Sequence, residues 1–414
     1  MTQPAGTPHG TKQVSTSDTT DRQFAEPRPC AWVERIQVTN FRNYEAARIV
    51  IGPEPVVLTG PNGSGKTNLL EAVSLLTSGQ GLRRAPYPEL ARVGTSGWAI
   101  AARIHGQNGS ADIGTGQKPD GGTRSGRIVR IDGEEHSGSG VLADMLDIFW
   151  LTPAMDGLFA GPASERRRFL DRLIPCFDPG YRARLGQFER AMQQRNRLLS
   201  EEVREPSRFH GFEQVMAETG VAIAAARIHA IAELASAIDM RRREAEHSAF
   251  PWAELVLTGK LETDLARHAA VDVEDTYASA LQQTRERDRA AGRTLEGPHR
   301  SDLIVGHGPK QMPASVCSTG EQKALLVGLV LAHAELVRRH NNGLPPILLL
   351  DEIAAHLDPL RRAALFDEIA ALGSQAWMTG TDVEAFSPLA GRARFHHIQD
   401  GRIEPRSQPP GSSF

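Results

Sequence analysis

The sequence predicts an α/β protein whose sheet is interrupted by a helical segment, on three observations. An apolar run, Val56 to Thr59, leads into a glycine-rich turn and then into a helical apolar pattern. A second unbroken apolar run, Ile347 to Leu350, is typical of a parallel strand that is covered on both faces. Between these two runs, residues 164–290 are helical in period, with Pro206 as a break.

The remaining elements follow from composition and period. Residues 1–29 are rich in Thr, Ser, Pro and Gln, which predicts a disordered tail. The stretch "WVERIQVTNFRNYEAARIVI" alternates apolar and polar residues and predicts two strands separated by "NFRNY". Residues 98–135 are glycine-rich with short β patches and predict an antiparallel β subdomain. We therefore expect a head domain in two parts, 30–163 and 291–414, interrupted by a helical arm at 164–290.

Composition limits the classes of function. The 414 residues are 40% hydrophobic and 23% charged, as in a soluble globular protein. A net charge of −3 gives no general attraction to polyanions, so any nucleic-acid binding must use local basic patches. Cys30, Cys176 and Cys317 form no CxxC pair, which favours neither disulfides nor zinc. No apolar run approaches membrane-spanning length and no signal peptide is visible, so we expect a cytoplasmic protein.

The glycine-rich turn matches the phosphate-binding pattern G-x-x-x-x-G-K-[ST]. The predicted nucleotide-binding residues are Gly60, Pro61, Asn62, Gly63, Ser64, Gly65, Lys66, Thr67 and Asn68. Glycines let backbone N–H groups turn toward phosphate oxygens at a helix N-terminus. Lys66 is expected to reach the β- and γ-phosphates of ATP, and the Thr67 hydroxyl to bind Mg²⁺. The alternative is a glycine turn that only caps a helix.

Two carboxylates follow the second buried strand. Asp351 is expected to hold Mg²⁺, directly or through water, and Glu352 to orient or deprotonate the attacking water. We therefore assign catalytic roles to Lys66, Asp351 and Glu352. The alternative for both carboxylates is an acidic cap at the start of a helix.

A further anion site is predicted between the glycine turn and these carboxylates. Ser318, Thr319 and Gly320 precede a helix, where N–H groups and a hydroxyl can bind phosphate. An ordinary Ser/Thr helix cap is the alternative. The order of these motifs is that of ATP-binding-cassette ATPases, in which the signature loop of one subunit covers the nucleotide of the other. Asp358 lies where such ATPases carry an aspartate that contacts the dimer partner.

The helical insertion separates this chain from transporter subunits, which lack one. Lys66 and Asp351 are 285 positions apart (351 − 66), and much of the interval is helical. From residue 33 onward the chain resembles the RecF family of bacterial recombination mediators. The matching stretches are "VTNFRNYE", "GPNGSGKTNLLEAV", "GPASERRRFLD", "GPHRSDL", "STGEQKALL" and "LLLDEIAAHLD".

The resemblance implies a DNA-repair protein that binds ATP and DNA and hydrolyses ATP slowly. It also implies that ATP drives two subunits together on gapped DNA or duplex junctions, and that hydrolysis releases them. With RecR and RecO, such a protein helps RecA to load. Arg42 and Asn43 fall where relatives place residues near the nucleotide, and a polar turn between strands is their alternative interpretation.

The chain departs from the cassette pattern at two places. Thr379, Gly380, Thr381 and Asp382 occupy the segment where a histidine usually contacts the γ-phosphate, and Thr381 is our candidate for part of that role. The stretch "WLTPAMDGLF" offers no glutamine where a glutamine loop is expected.

DNA contacts are predicted only as candidate basic patches. These are Arg83 with Arg84, residues 166–168, and residues 241–243, and a solvated charged face is the alternative for each. Two rival functions stay open from sequence: the nucleotide-binding subunit of a transporter, and a scaffold that holds ATP without hydrolysing it.

Overall fold

The computed structural model describes residues 30–117, 126–244 and 249–407. The predicted disordered tail at residues 1–29 lies outside this range. The described strands are β1 Trp32–Phe41, β2 Tyr44–Val50, β3 Val56–Thr59, β4 Trp98–Gly106, β5 Gly109–Gln117, β6 Ile128–Ile131, β7 Glu134–His136, β8 Ile148–Leu151, β9 Ala253–Thr258, β10 Asp302–His307, β11 Met312–Pro313, β12 Ile347–Leu350, β13 Ala376–Gly380, β14 Arg394–Gln399 and β15 Arg402–Pro405. The described α-helices are α1 Lys66–Ser74, α2 Ala163–Leu173, α3 Tyr181–Ser200, α4 Ser207–Glu244, α5 Lys260–Leu265, α6 Ala270–Gln283, α7 Arg285–Ala290, α8 Thr319–His340 and α9 Pro359–Leu372.

A six-stranded sheet forms the centre of the head, in the order β15-β14-β3-β13-β12-β8. Strands β14, β3, β13, β12 and β8 are parallel, and β15 is antiparallel at one edge. Every residue of β3, β12 and β13 is buried, which confirms the expectation for apolar runs covered on both faces. Because these strands are parallel, the segments that follow them lie along the same edge of the sheet.

A second six-stranded sheet, in the order β2-β1-β4-β5-β6-β7, is antiparallel throughout. It contains the two strands predicted around "NFRNY" and the hairpins predicted after residue 98. Strand β4 alternates buried and exposed side chains over most of its length, as expected for a sheet with one face on the core. This sheet packs with α1 and one face of the central sheet in one apolar cluster.

The segment predicted to be a helical arm contains a strand as well as helices. Helix α4 packs along α3 and α6, and β9 pairs in antiparallel fashion with β10. Strand β9, "AELVLT", has side chains that alternate between more and less buried positions, and its β-branched and apolar residues were overlooked in the helical interpretation of this segment. Because β10 and β11 follow residue 291, the small sheet β11-β10-β9 crosses the boundary that the sequence suggested at residue 290.

Helix α4 is long and apolar enough to cross a membrane by length and composition, which the sequence analysis did not anticipate. Half of its most apolar 18-residue stretch is buried inside the protein, where α4 packs on the other arm helices. The core helix of a soluble protein passes the same test, so the pattern does not by itself indicate a membrane span.

Two of the quoted sequence stretches meet where α2 leaves the head. Arg166 in α2 makes two parallel hydrogen bonds to Asp302, at 2.9 and 2.8 Å. Asp171, in the same helix, binds the buried guanidinium of Arg227 in α4 at 2.9 and 3.0 Å. Arg227 also donates to the carbonyl of Pro298. The stretches "GPASERRRFLD" and "GPHRSDL" therefore form the junction between the head and the helical segment.

Candidate nucleotide-binding and catalytic site

The glycine-rich turn connects β3 to α1 and depends on glycine at two points. Gly60 has φ of 148°, and a Cβ there would lie 2.1 Å from the carbonyl oxygen of Ile398. Gly65 has φ of 118°, and a Cβ there would lie 2.7 Å from Nδ2 of Asn43. Both positions combine a left-handed backbone with close packing, which only glycine tolerates.

Lys66 is the first residue of α1, and its ammonium lies inside the turn. Nζ donates hydrogen bonds to the carbonyl oxygens of Gly60 at 2.7 Å and Pro61 at 3.0 Å. Its side chain is 4% exposed, and Nζ lies 3.7 Å from Oε1 of Glu352. The lysine of the predicted phosphate loop and the candidate general base therefore face each other across the edge of the sheet.

The Thr67 hydroxyl and the Asp351 carboxylate are hydrogen-bonded, although 284 positions separate them in the chain. Oγ1 of Thr67 lies 2.9 Å from Oδ1 and 3.0 Å from Oδ2 of Asp351. Hydroxyl and carboxylate oxygens suit Mg²⁺, which keeps several waters and takes few protein ligands at phosphate sites. This pair fits the predicted metal-binding role of both residues.

One polar atom of the turn supports a phosphate ligand. The Ser64 side chain is buried, and its Oγ has no hydrogen-bond partner among the described residues. A buried hydroxyl left unpaired is costly, and a phosphate oxygen in the turn is a partner of the right chemistry. The donors of the turn therefore fit a nucleotide phosphate.

Residues of the β1–β2 turn hold the glycine loop from outside. Asn43 donates from Nδ2 to the carbonyl of Ser64 at 3.0 Å and accepts from Asn68 at 2.7 Å. The buried Tyr44 hydroxyl donates to the carbonyl of Gly65 at 2.9 Å. Burial raises the pKa of Tyr44, so the phenol stays neutral. Asn43 was predicted to lie near the nucleotide, whereas Tyr44 was not predicted, because its only signal was an aromatic residue inside "NFRNYE".

Arg42 lies beside the same loop, but its guanidinium is engaged elsewhere. Nε and Nη2 each lie 2.8 Å from the buried carboxylate of Glu71, and Nη1 donates to the carbonyl of Glu89. Arg83 also binds Glu71, at 3.0 Å, and Asn68 at 2.7 Å. In this structure Arg42 thus links the β1–β2 turn to α1.

Ser318 is the N-cap of α8, as the alternative interpretation of this segment stated. Its N–H and its hydroxyl both donate to Oε2 of Glu321, at 3.0 and 2.9 Å. Hydrogen bonds from Lys310 and from Ser318 lower the pKa of Glu321 to about 2. Helix capping therefore accounts for the local geometry of Ser318, and both of its donors face an anionic group.

The signature segment and the Asp358 segment form one exposed surface. A Cβ on Gly320 would lie 3.3 Å from the carbonyl oxygen of His356. Asp358 caps α9 by accepting from the N–H of Arg361 at 2.9 Å. Among the described residues, no hydrogen bond or ion pair joins Ser318, Thr319, Gly320 or Asp358 to the glycine loop. Two apolar side chains flank this surface and are largely exposed: Val316 at 64% and Leu360 at 73%.

Two residues at this edge of the sheet make contacts that were not predicted from sequence. Thr379, at 0% exposure, donates from Oγ1 to Oδ1 of Asp351 at 2.7 Å. The buried Lys323 of α8 lies 3.2 Å from the carbonyl oxygen of Glu352 and 3.5 Å from Asp156. Thr381, the residue predicted to replace the histidine, is exposed and makes no hydrogen bond to a described residue. Asp156, not a glutamine, is the polar contact that "WLTPAMDGLF" supplies.

The candidate DNA patches are largely paired within the protein. Arg166 and Arg83 bind carboxylates as described above, and Arg167 donates to the carbonyl of Ser301. Arg241 forms an ion pair with Glu368, and Arg242 lies over the Trp252 ring at 4.7 Å. Each patch keeps one exposed arginine whose side chain makes no hydrogen bond or ion pair to a described residue. These arginines are Arg84, Arg168 and Arg243.

Comparisons with known proteins place this fold in one class. A family model described as the RecF/RecN/SMC N-terminal domain matches residues 32–389. A solved SMC head bound to the winged-helix domain of ScpA superposes with a TM-score of 0.53 at 14% identity, covering 90% of this chain and 96% of that one. The fold is that of the ATP-binding-cassette heads of RecF, RecN and SMC proteins.

Closer relatives define the family within that class. The chain is 54% identical to the DNA replication and repair protein RecF of Mesorhizobium japonicum, over 90% of this chain and 97% of the relative. It is 53% identical to RecF of Agrobacterium fabrum, over 90% and 98%. A structure described as the recombination mediator RecF with ATP in the RecFOR pathway superposes with a TM-score of 0.78 at 22% identity, covering 92% and 99%. This chain belongs to the RecF family.

Proposed function

We propose that this protein is an ATP-dependent DNA-binding switch for recombinational repair and replication restart. The observation that carries the proposal is the meeting of Lys66, Thr67, Asp351 and Glu352 at one edge of the central sheet. Lys66 is placed to bind the β- and γ-phosphates of ATP, and Thr67 and Asp351 to hold Mg²⁺. Bound Mg²⁺ supplies charge neutralisation at those phosphates. Glu352 accepts the proton of the attacking water.

Dimerisation completes the site in this proposal. Ser318 and Asp358 lie on a surface that is separate from their own chain's glycine loop and is flanked by exposed Val316 and Leu360. Exposed apolar side chains around a polar centre are typical of a protein-contact surface. We infer that this surface covers ATP bound to a second copy of the chain. In that dimer the N–H and the hydroxyl of Ser318 leave Glu321 and donate to the γ-phosphate instead.

The family supplies the biological setting of the proposal. Its members are DNA replication and repair proteins, and a structural relative is described as a mediator of the RecFOR pathway. In our proposal the ATP-bound dimer forms in the cytoplasm on gapped DNA or at duplex junctions. Slow, DNA-dependent hydrolysis then releases it, after it has helped RecA to load together with RecO and RecR. The unpaired arginines Arg84, Arg168 and Arg243 are the candidate phosphate contacts.

The shared site is tested by Ser318→Arg. A long side chain at the start of α8 blocks the approach of a second glycine loop while the variant's own Lys66 and Thr67 stay intact. We expect sedimentation with ATP to show a monomer that still binds nucleotide. Ser207→Arg, at the exposed start of α4, is the matched control and should dimerise like the unmodified protein. A Ser318→Arg dimer as tight as the unmodified one would overturn the proposal.

Mixing two inactive variants gives the sharper test. Ser318→Arg keeps Lys66, and Lys66→Ala keeps Ser318, so a heterodimer holds one complete site and one doubly damaged site. We expect ATP hydrolysis to recover partly on mixing, which a site contained in one chain does not allow.

A separate binding assay tests the switch itself. Affinity for gapped duplex DNA is measured with ATP, with ADP and without nucleotide. We expect the tightest binding with ATP, and equal binding in all three conditions would contradict a nucleotide-controlled switch.

A further inference from the structure

Glu352 has a backbone conformation that its own side chain disfavours. Its φ is 49°, in the left-handed region, at the second residue after the buried strand β12. For a residue with a Cβ this conformation is disfavoured, so neighbouring groups must hold it. The orientation of the candidate general base therefore depends on the contacts of its peptide groups.

The N–H side of Glu352 is held by Thr379. Oγ1 of Thr379 accepts from the N–H of Glu352 at 2.8 Å and donates to Oδ1 of Asp351 at 2.7 Å. The threonine is fully buried in β13, the strand next to β12. A single hydroxyl thus fixes both the metal-binding carboxylate and the peptide of the catalytic one.

The carbonyl side of Glu352 is held by Lys323. Nζ of Lys323 donates to this carbonyl at 3.2 Å, and the N–H of Ala355 donates to the same oxygen at 3.1 Å. The lysine side chain is 4% exposed, and its ammonium lies 3.5 Å from the Asp156 carboxylate. Burial lowers the pKa of Lys323, while Asp156, Glu352 and Asp351 oppose that shift.

We propose that Thr379 and Lys323 are positioning residues that hold the Glu352 peptide in its left-handed conformation and so direct its carboxylate toward Lys66. Lys323 belongs to α8, the helix that begins at the signature residue Ser318, so each signature helix supports the general base of its own chain. This inference rests on the proposed role of Glu352 in ATP hydrolysis. It differs from the shared-site proposal, since Lys323 acts within one chain and Ser318 acts on the partner.

Thr379 is tested with a pair of variants of similar shape. Thr379→Val removes the hydroxyl, and Thr379→Ser keeps it. We expect Thr379→Val to lower kcat by about tenfold or more, while KM changes far less. This is the loss in rate expected when one hydrogen bond that positions Glu352 is removed. Thr379→Ser should restore most of kcat. A loss in Thr379→Ser as large as that in Thr379→Val, or larger, would show that the methyl group contributes at least as much as the hydroxyl, and would contradict the proposal.

Lys323 is tested with Lys323→Met, which keeps the length of the side chain but not the ammonium. Lys260→Met, at an exposed lysine paired with Glu296, is the control. We expect Lys323→Met to keep ATP-dependent dimerisation and to lower kcat by about tenfold. Thermal unfolding of each variant shows whether it is folded. Should Lys323→Met be unfolded, Thr379→Val carries the same test.

Mixing separates action within a chain from action across the dimer. In a heterodimer of Lys323→Met with Lys66→Ala, the only intact Lys66 is in the chain whose Glu352 has lost its lysine support. We expect no recovery of hydrolysis above that of Lys323→Met alone. Recovery equal to that of the Ser318→Arg and Lys66→Ala mixture would mean that Lys323 acts on the partner, which overturns the inference. If the mixture of Ser318→Arg and Lys66→Ala recovers no ATP hydrolysis, only the shared-site proposal is refuted.

Discussion

The junction between the head and the helical segment gives a quantitative prediction. Asp171→Asn keeps the shape of the side chain but removes the charge that faces Arg227. The Arg227 side chain is 2% exposed and that of Asp171 is 14% exposed. Breaking a buried ion pair from one side costs roughly 3–5 kcal/mol, because the other charge stays buried and unpaired. The partial exposure of Asp171 places the expected loss near the lower end, at about 3 kcal/mol.

Thermal unfolding measures this loss. For a cooperative unit of about 150–250 residues, each kcal/mol shifts the midpoint by roughly 2–4 °C, so we expect a fall of roughly 6–12 °C. Asp367→Asn is the control, since its ion pair with Arg392 is mostly exposed, at 68% for the aspartate side chain. An exposed pair contributes at most about 1 kcal/mol. The reasoning is refuted if both substitutions lower the midpoint by the same amount.

A double-mutant cycle identifies the interaction. Arg227→Met removes the buried charge, so the combination with Asp171→Asn should cost less than the sum of the two single changes. Additive losses would mean that the two residues stabilise the junction independently. At a temperature where all variants are folded, we expect their DNA affinity to equal that of the unmodified protein, because Arg227 is buried, Asp171 is only slightly exposed, and the two are paired with each other.

Two further predictions concern the catalytic edge and the interior of the head. Glu352→Gln should lower ATP hydrolysis by roughly 100-fold or more while the ATP-bound dimer still forms, and an unchanged rate would remove Glu352 from catalysis. Burial lowers the pKa of His333 to about 4, below its ordinary 6.5. Between these values the unfolded chain binds a proton that the folded chain excludes, so stability falls as pH drops from 6.5 to 4, by about 3 kcal/mol. His333→Phe should reduce the change in the free energy of unfolding between pH 6.5 and 4. An unchanged dependence of stability on pH would contradict this prediction.

The features that could be predicted from sequence are those whose defining residues are neighbours in the chain. Strands β3 and β12 have the bounds that their apolar runs predicted, since an apolar run of this length is typical of a parallel strand that is covered on both faces. The phosphate loop was recognisable because its glycines and lysine are contiguous. Asp351 was recognisable because it ends a buried strand. These features depend on neighbours in the chain, which the sequence displays directly.

The residues that were missed depend on neighbours in space. Thr379 looks like any threonine in a strand until β13 lies beside β12 and brings its hydroxyl to Asp351. Arg166 looks like part of a basic patch, whereas its partner Asp302 is 136 positions away. Strand β9 is short and surrounded by helices, so its alternation was outweighed by the period of the longer segments. Pairings of this kind follow only from the assembled fold.

Helix α8 connects these separate contacts through one rigid element. Its side chains are buried along most of its length, while its N-cap Ser318 is exposed on the proposed dimer surface. At 1.5 Å per residue, Lys323 lies about 8 Å along the axis from Ser318, and His333 lies about 22 Å from it. His333 contacts the carbonyl of Leu173 at 3.0 Å, at the end of α2. Close-packed helices shift as units and do not deform gradually. We therefore expect a displacement of Ser318 to change the support of Glu352 and the packing of α2 together, so that one surface contact would act on both the proposed catalytic edge and the head–arm junction.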